Sequence, residues 1–472
     1  MLVLSTISDS LQDGLQSMRT QIGDTVFGAP IRLGVTGLAR SGKTVFMTSL
    51  IANLLHSGRF EHVKAFGQNR VELVYLQPQP DDTIPRFAYE THLAALQSTP
   101  PRWPDNTKGI SQIRLSLRIK PHGFLSGLRG AYVQHIDLVD YPGEWLLDLT
   151  LLDKSFDQWS RDMLDRMTRH DFGTDYLACL SNCDPNSAFD EGTAQTLAQC
   201  YTNSLDQARI AGMADLTPGR FLLPGDLAGS PVLTFAPLTL DHRAKRGSLY
   251  RELERRYDAY KSKVVRPFFR DHFSQIDHQV ILLDLLGALH QGPDATRDLQ
   301  NSLSALLQAF RTGQNSMLSR LFLGNRVEKI LFAATKADHI PTSQHDKMTK
   351  TLQVLLDQAQ RKAQFSGVQT GAMSIASVRS TTDLQQKHNG QLLDLVQGIL
   401  LETGKPVAFH AGALPSDPQQ FLADLTQGKS DWTTADYSAA GFAPPPNPLQ
   451  TGRGIAHIRL DQAAEFLFGD RL

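Results

Sequence analysis

Apolar residues along this chain switch repeatedly between two spacings, and the switches mark its elements. IRLGVTG (Ile31 to Gly37) is a short apolar, partly β-branched run, and after it Val45, Phe46, Ser49, Leu50 and Leu54 recur at steps of three and four. That order predicts strand, glycine-rich turn, helix. From Gly58 to about Lys108 the chain reads as loop-rich, with QPQPDD and STPPRWPDN too dense in proline for regular structure. Ile113, Leu115, Leu117 and Ile119 then alternate with polar residues. After the turn signals PHGF and SGLRG, YVQHIDLVD supplies the second strand of a hairpin, ending at Asp140.

From Trp145 to about Gln275 the spacing becomes helical over long stretches. Strand character returns in QVILLDLL, a helix in DLQNSLSALLQAFRTG and a strand in VEKILFAATKAD, before a further helix and a last strand running toward AMSIASV. This β-α-β alternation predicts an α/β fold, a mostly parallel sheet flanked by helices. The expected organisation is an N-terminal amphipathic helix over 1–30, an α/β core from 31–145 and 276–403, a mostly helical insertion over 146–275, and a C-terminal extension over 404–472 packing on the core. In the first segment Leu4, Ile7, Leu11, Leu15, Met18 and Ile22 form one stripe with Arg19 as its only basic residue, which favours docking on the protein over a membrane surface.

Composition narrows the function. With 472 residues, core size is not limiting, and 47 basic against 48 acidic residues give no global field for nucleic acid. The apolar runs fall short of the ~20 residues of a transmembrane segment, so a cytoplasmic protein is expected. Three cysteines are too few for a disulfide scaffold, and the Cys179 and Cys183 pair has the spacing of helix packing. Arg243 to Arg270 holds ten basic and three acidic residues, which reads as a solvated helix face.

The chemistry lies at the strand ends. Gly37-Leu38-Ala39-Arg40-Ser41-Gly42-Lys43-Thr44 fits G-x-x-x-x-G-K-[ST] between a predicted strand and a predicted helix. Glycines let backbone N–H groups converge on phosphate oxygens, and the helix N-terminus adds its positive dipole end. Residues Gly37, Ala39, Arg40, Ser41, Gly42, Lys43, Thr44 and Val45 are therefore the candidate phosphate binders, with Lys43 neutralising phosphate charge and Thr44 ligating Mg2+. Asp140-Tyr141-Pro142-Gly143 ends the hairpin's second strand. Asp140 is expected to hold Mg2+ through water, and the Gly143 N–H to sense a γ-phosphate. Thr335-Lys336-Ala337-Asp338 ends a later strand. Asp338 can accept from the N1–H and exocyclic amine of guanine, which adenine does not match, and the Lys336 stem can lie over the base. Thr335 stands where asparagine is usual. Ser374, Ile375 and Ala376 follow the next strand and offer a backbone N–H to the guanine oxygen.

The ordered set GLARSGKT, DYPG, TKAD and SIA resembles the nucleotide-binding motifs of Ras-like GTPases. LARSGKT, WPDNTKGIS, DYPGEW and ATKADH, in this order, resemble the YcjX family of bacterial stress-related P-loop GTPases, over about Ile31 to Ala411. The resemblance implies a Ras-like core with a helical domain inserted between its third and fourth strands, GTP and GDP as ligands, and GTP hydrolysis. It also implies a membrane-stress setting, an inner-membrane protein as partner and a peripheral place at that membrane. It calls for a threonine completing the metal shell. Thr83, Thr91, Thr99 and Thr107 are candidates, and Thr107, just ahead of the strand SQIRLSLRI, fits best. Lys43, Thr107, Gly143 and Glu144 are then the catalytic candidates. Glu144 stands where Ras has glutamine, and Arg102 and Arg40 are the open choices for a catalytic arginine. The expected function is a slow GTP-hydrolysing switch. The alternative is a nucleotide-dependent interaction module that hardly hydrolyses.

Overall fold

The computed structural model describes residues 29–472 except 39–40, 106–108, 122–129, 240–243, 310–326, 365–367 and 389. The helix expected over 1–30 therefore falls, up to residue 28, outside the described residues.

One seven-stranded sheet has the order β2-β3-β4-β1-β5-β6-β7. Its strands are β1 (Ile31–Gly37), β2 (Val71–Gln77), β3 (Ser111–Ile119), β4 (Tyr132–Asp140), β5 (His278–Leu283), β6 (Lys329–Ala334) and β7 (Gln369–Ser374). β4, β1, β5, β6 and β7 run parallel, while β3 is antiparallel to both β2 and β4. The expected hairpin forms with Ser111 opposite Asp140 and Ile119 opposite Tyr132. Helices α1 (Lys43–Leu55) and α2 (Tyr89–Leu96) precede β3. Between β4 and β5 lie α3 (Gly143–Leu147), α4 (Phe156–Arg169), α5 (Glu191–Ile210) and α6 (Leu249–Tyr260), and α7 (Pro293–Ala309), α8 (His345–Gln364) and α9 (Leu460–Phe468) follow β5.

β5 and β6 read as unbroken apolar runs because both of their faces are covered. On one face Val280, Leu282, Leu331 and Ala333 join Phe46, Met47 and Leu50 of α1 and Leu460, Ala463 and Leu467 of α9. On the other, Ile281, Leu283, Ile330 and Phe332 join Leu303 and Leu306 of α7 and Leu352 and Leu356 of α8. That second core continues into the segment between β4 and β5. There α4 starts at a capping box of Ser155 and Gln158 and buries Phe156, Trp159, Met163 and Met167 on one stripe. Trp159 stacks on Tyr257 of α6, with ring centroids 5.0 Å apart, and meets Tyr201 of α5 edge-on.

Three expectations need correction. The stretch read as loop-rich between Gly58 and Lys108 contains β2 and α2: its prolines are confined to short runs, and VELVYLQ pairs along the sheet edge with one half-exposed face. The strand toward AMSIASV is not the last, because β8 (Thr381–His388), β9 (Gln391–Ile399) and β10 (Pro406–Phe409) form a separate antiparallel sheet in the order β10-β9-β8. Cys179 does not merely pack beside Cys183. It is disulfide-bonded to Cys200 of α5, while Cys183 is a free thiol. The basic run around α6 is a paired face, with Arg251 on Glu254, Arg255 on Glu252 and the buried Arg256 on Glu191. Among the described residues no helix is long and apolar enough to cross a membrane.

Because α9 completes one face of the sheet, Leu467→Ala should cost about 2–5 kcal/mol in denaturant unfolding, with exposed Gln462→Ala as the near-neutral control. An unchanged midpoint for Leu467→Ala would mean that α9 adds nothing to the core.

Candidate functional site

In an open parallel sheet the crevice beyond the strands' carboxyl ends is the ligand position, most of all where the chain turns from one side of the sheet to the other. β1 sits at that point here, flanked by β4 and β5, and its carboxyl end leads into the glycine-rich turn. Gly42 takes φ 78°, a left-handed conformation that glycine adopts without strain, and it caps α1 with no side-chain hydrogen bond. Gly42 thus offers the first turn of α1 no side-chain cap, and no acidic residue stands in that turn. A helix start of this kind favours an anion.

Against it lies the Asp140-Tyr141-Pro142-Gly143 turn. A Cβ on Gly143 would stand 2.6 Å from the carbonyl carbon of Gly37 and closer still to its oxygen, so only glycine fits. A Cβ on Gly37 would in turn overlap the Ser41 side chain. Tyr141 N–H donates to the Val35 carbonyl at 3.3 Å, fixing the turn to β1. The ammonium of Lys43 reaches the fully buried carboxylate of Asp140 at 2.6 Å.

Gly37, Ser41, Gly42, Lys43, Thr44, Val45, Pro142 and Glu144 line a cavity of about 350 Å³ whose far wall is Asp206, Arg209, Leu222 and Leu223. Burial pushes the Glu144 carboxyl above the usual carboxylate range, and the charges of Lys43 and Arg209 pull it back. A second cavity of about 470 Å³ is lined by Thr335, Lys336, Asp338, Ala376, Ser377, Ser380, Trp103 and Phe442, among others. Both include Ser41, Gly42, Val45 and Pro104, so the two are halves of one trough along the sheet edge.

Asp338 is buried, and its Oδ2 accepts from the Ser380 N–H at 2.8 Å and the Ser380 hydroxyl at 2.6 Å. Ser380 was not among the sequence candidates; nothing in its local pattern marks it, since it acts by fixing a carboxylate 42 residues away. Lys336, at φ 61°, turns its ammonium onto Asp284 beyond β5. Thr335 donates its hydroxyl to the Leu283 carbonyl at 3.1 Å, so it ties β6 to β5. Of the triplet after β7, Ala376 lines the trough. Ile375 is buried behind it, with its N–H bonded to Ala334, and Ser374 is buried among Thr349, His345 and Arg459. Neither enters the trough. Ala39, Arg40 and Thr107 lie outside the described residues. Arg102 is exposed and does not line either cavity.

With this geometry in view, comparison with known proteins decides the family. The YcjX-like family (DUF463) matches residues 31–472. The chain belongs to the YcjX-like family. It is 36% identical over 459 residues to the Ras-like GTPase YcjX of Escherichia coli strain K12, covering 94% of this chain and 96% of that one. It is 33% identical over 468 residues to the Ras-like GTPase YcjX of Shewanella oneidensis strain MR-1, covering 94% of each. The largely parallel sheet flanked by helices agrees with the Ras-like class in those names.

In this YcjX-like chain the helical segment also grips the turn after Gly143. A Cβ on Gly219 would lie 2.9 Å from the Trp145 amide nitrogen and nearer to the Glu144 carbonyl. The guanidinium of Arg220 sits 3.2 Å from the Trp145 ring centroid, and the Trp145 indole N–H donates to the Leu223 carbonyl at 3.1 Å. Asp148 Oδ1 accepts from the Gly219 N–H at 2.8 Å, its other oxygen accepts from the Tyr260 hydroxyl, and burial pushes this carboxyl up to about 7. Gly219→Ala should therefore push the two backbones apart, cost about 1–3 kcal/mol and change the near-ultraviolet signal of Trp145. Gly109→Ala, at a site with open space around it, is the control. Equal melts and spectra for both would remove the close approach from the argument.

Proposed function

We propose that the protein binds GTP with Mg2+ in the trough at the carboxyl edge of the sheet and hydrolyses it to GDP and phosphate. The observation that carries this is the single trough joining the glycine-rich turn to Asp338. The triphosphate takes the half beside Lys43 and the uncapped start of α1, and the base takes the half beside Asp338. There a carboxylate held at Oδ2 by Ser380 accepts from the N1–H and amine of guanine, with the Lys336 stem and Ala376 alongside. Mg2+ takes hard oxygen donors, usually one or two carboxylates together with phosphate, and the Thr44 hydroxyl and Asp140 carboxylate are such donors. They would hold the ion, which would neutralise phosphate charge, and Thr107, outside the described residues, is the sequence candidate for a further oxygen.

The Gly143 N–H reports on the γ-phosphate, and because Gly143 begins α3, the report passes through Glu144 and Trp145 to the helical segment. The protein is in this reading a switch whose output is the position of that segment. The resemblance to stress-related GTPases supports a setting in a bacterial membrane-stress response with an inner-membrane partner. A second reading, a nucleotide-dependent interaction module with little turnover, is favoured by one observation, the carboxyl of Glu144 where Ras-like enzymes orient water with glutamine.

Multiple-turnover phosphate release separates the two. Lys43→Ala should abolish it while the melt stays near that of wild type, and GTP should displace a fluorescent guanine nucleotide far better than ATP does. Asp338→Asn should weaken GTP about tenfold or more and favour xanthine nucleotide, whose extra carbonyl meets the new amide donor. Equal competition by ATP and GTP would overturn the base assignment.

The raised pKa of Glu144 sets a pH dependence. Protonated, its carboxyl can both donate and accept, as glutamine does; as pH rises through its raised pKa it becomes an anion facing the γ-phosphate. The turnover rate should therefore fall with rising pH, and Glu144→Gln should remove that fall. A wild-type rate that climbs with pH would instead make Glu144 a general base.

A further inference from the structure

Helix α5 belongs to the helical segment, yet its last turn reaches the phosphate half of the trough. Arg209 and Asp206, one turn apart, line the same cavity as Lys43, Thr44 and Glu144. The guanidinium is held by Asp206, whose Oδ1 accepts from Nε at 3.0 Å and from Nη2 at 2.5 Å. Those bonds leave Nη1 out, so part of the planar fork stays available to a phosphate oxygen. The charge of Arg209 also reaches Glu144, which lines the same cavity, where it opposes the effect of burial.

Carboxylates crowd this end of the trough. Lys43 meets Asp140 at 2.6 Å, and Glu144 and Asp206 line the wall. Charge that grows on a phosphoryl group in transfer needs a fixed cation beyond Lys43; the sequence candidate Arg102 lines neither cavity, and Arg40 lies outside the described residues. We propose that Arg209 is a catalytic residue supplied in cis by the helical segment, binding the phosphoryl oxygens in the transition state, with Asp206 as the positioning residue that aims it. The proposal rests on the GTPase reading above. In the step it serves, the water oxygen bonds to the γ-phosphorus as the bond from that phosphorus to the β,γ-bridging oxygen breaks. The electron pair stays on GDP, one water proton remains on the phosphate and the other goes to solvent.

Because α5 and the Gly219–Leu223 stretch form one wall with Arg209, any shift of the helical segment moves the arginine. Hydrolysis is thereby tied to the segment's position.

The test is single-turnover hydrolysis by full-length wild type, Arg209→Ala, Arg209→Lys and Asp206→Ala, together with binding of a non-hydrolysable GTP analogue and of GDP with aluminium fluoride. Arg209→Ala should lose 100-fold or more in rate while analogue affinity changes by less than about threefold, and should no longer bind aluminium fluoride with GDP. Arg209→Lys should not rescue the rate, because it lacks the fork, and Asp206→Ala should lose about three- to tenfold. If Arg209→Ala unfolds, the Lys variant decides: a rate within threefold of wild type overturns the proposal. So does a loss of analogue affinity equal to the loss of rate, which would make Arg209 a binding residue. If wild type is no faster than Lys43→Ala, the GTPase reading itself fails; if wild type turns over and Arg209→Ala matches it, only this proposal does.

Discussion

Everything at this site depends on one close approach, that of Gly143 to the Gly37 carbonyl. It leaves no room for a side chain, so the phosphate-facing turn after β1 and the turn after β4 form one body. The Lys43 to Asp140 ion pair joins the same two turns through side chains, and the Tyr141 N–H to Val35 carbonyl bond joins them through the backbone. The ion pair is buried on the Asp140 side, where an unmatched carboxylate is costly. In the proposed nucleotide complex, a phosphate that draws on the Lys43 ammonium would therefore also bear on Asp140.

The same turn is gripped from the other side. Gly219 abuts the Glu144 carbonyl, Arg220 covers the Trp145 ring, and Leu223 accepts from its indole. α3 is only Gly143–Leu147, so it has too little internal hydrogen bonding to resist a pull at either end. It links the turn after β4 to the aromatic core of the helical segment, where Trp159 meets Tyr201 and Phe235 edge to face and stacks on Tyr257. So dense a core has little room to absorb a change in the position of α3.

What could be read in the sequence follows from where each signal resides. The glycine-rich turn, Asp140 and Asp338 were legible because their chemistry is local and follows buried strands whose apolar runs stand out. β2 and the β8 to β10 sheet were not, because their half-exposed strands mix polar residues into the pattern and proline-rich neighbours mask the first. A better signal existed for β8 and β9: the Asn-Gly dipeptide at 389–390 between alternating runs, with Gly390 at φ 82° and His388 paired to Gln391. Ser380, Arg209 and Gly219 were beyond local reading, since each acts on a residue far away in the chain. Of the triplet read as offering a backbone N–H, Ser374 ends β7 with its hydroxyl toward α8 and Arg459, and the residue two later lines the trough.

The two halves of the trough are closed by different parts of the chain. The helical segment walls the phosphate half through Arg209 and Leu223, while the C-terminal stretch walls the base half through Ala440, Gly441 and Phe442. Phe442 is fixed there by an edge contact with His339, next to Asp338, and its carbonyl accepts from the Trp103 indole at 2.7 Å. Trp103 and Pro104 belong to the loop that leads to β3, and Pro104 lines both halves. The hydrogen bond of Trp103 and the cavity contact of Pro104 thus set two neighbouring residues of this stretch against different parts of the trough. In the proposed nucleotide complex, the base would leave the Trp103 bond in place, and a terminal phosphate would act on the side of Pro104.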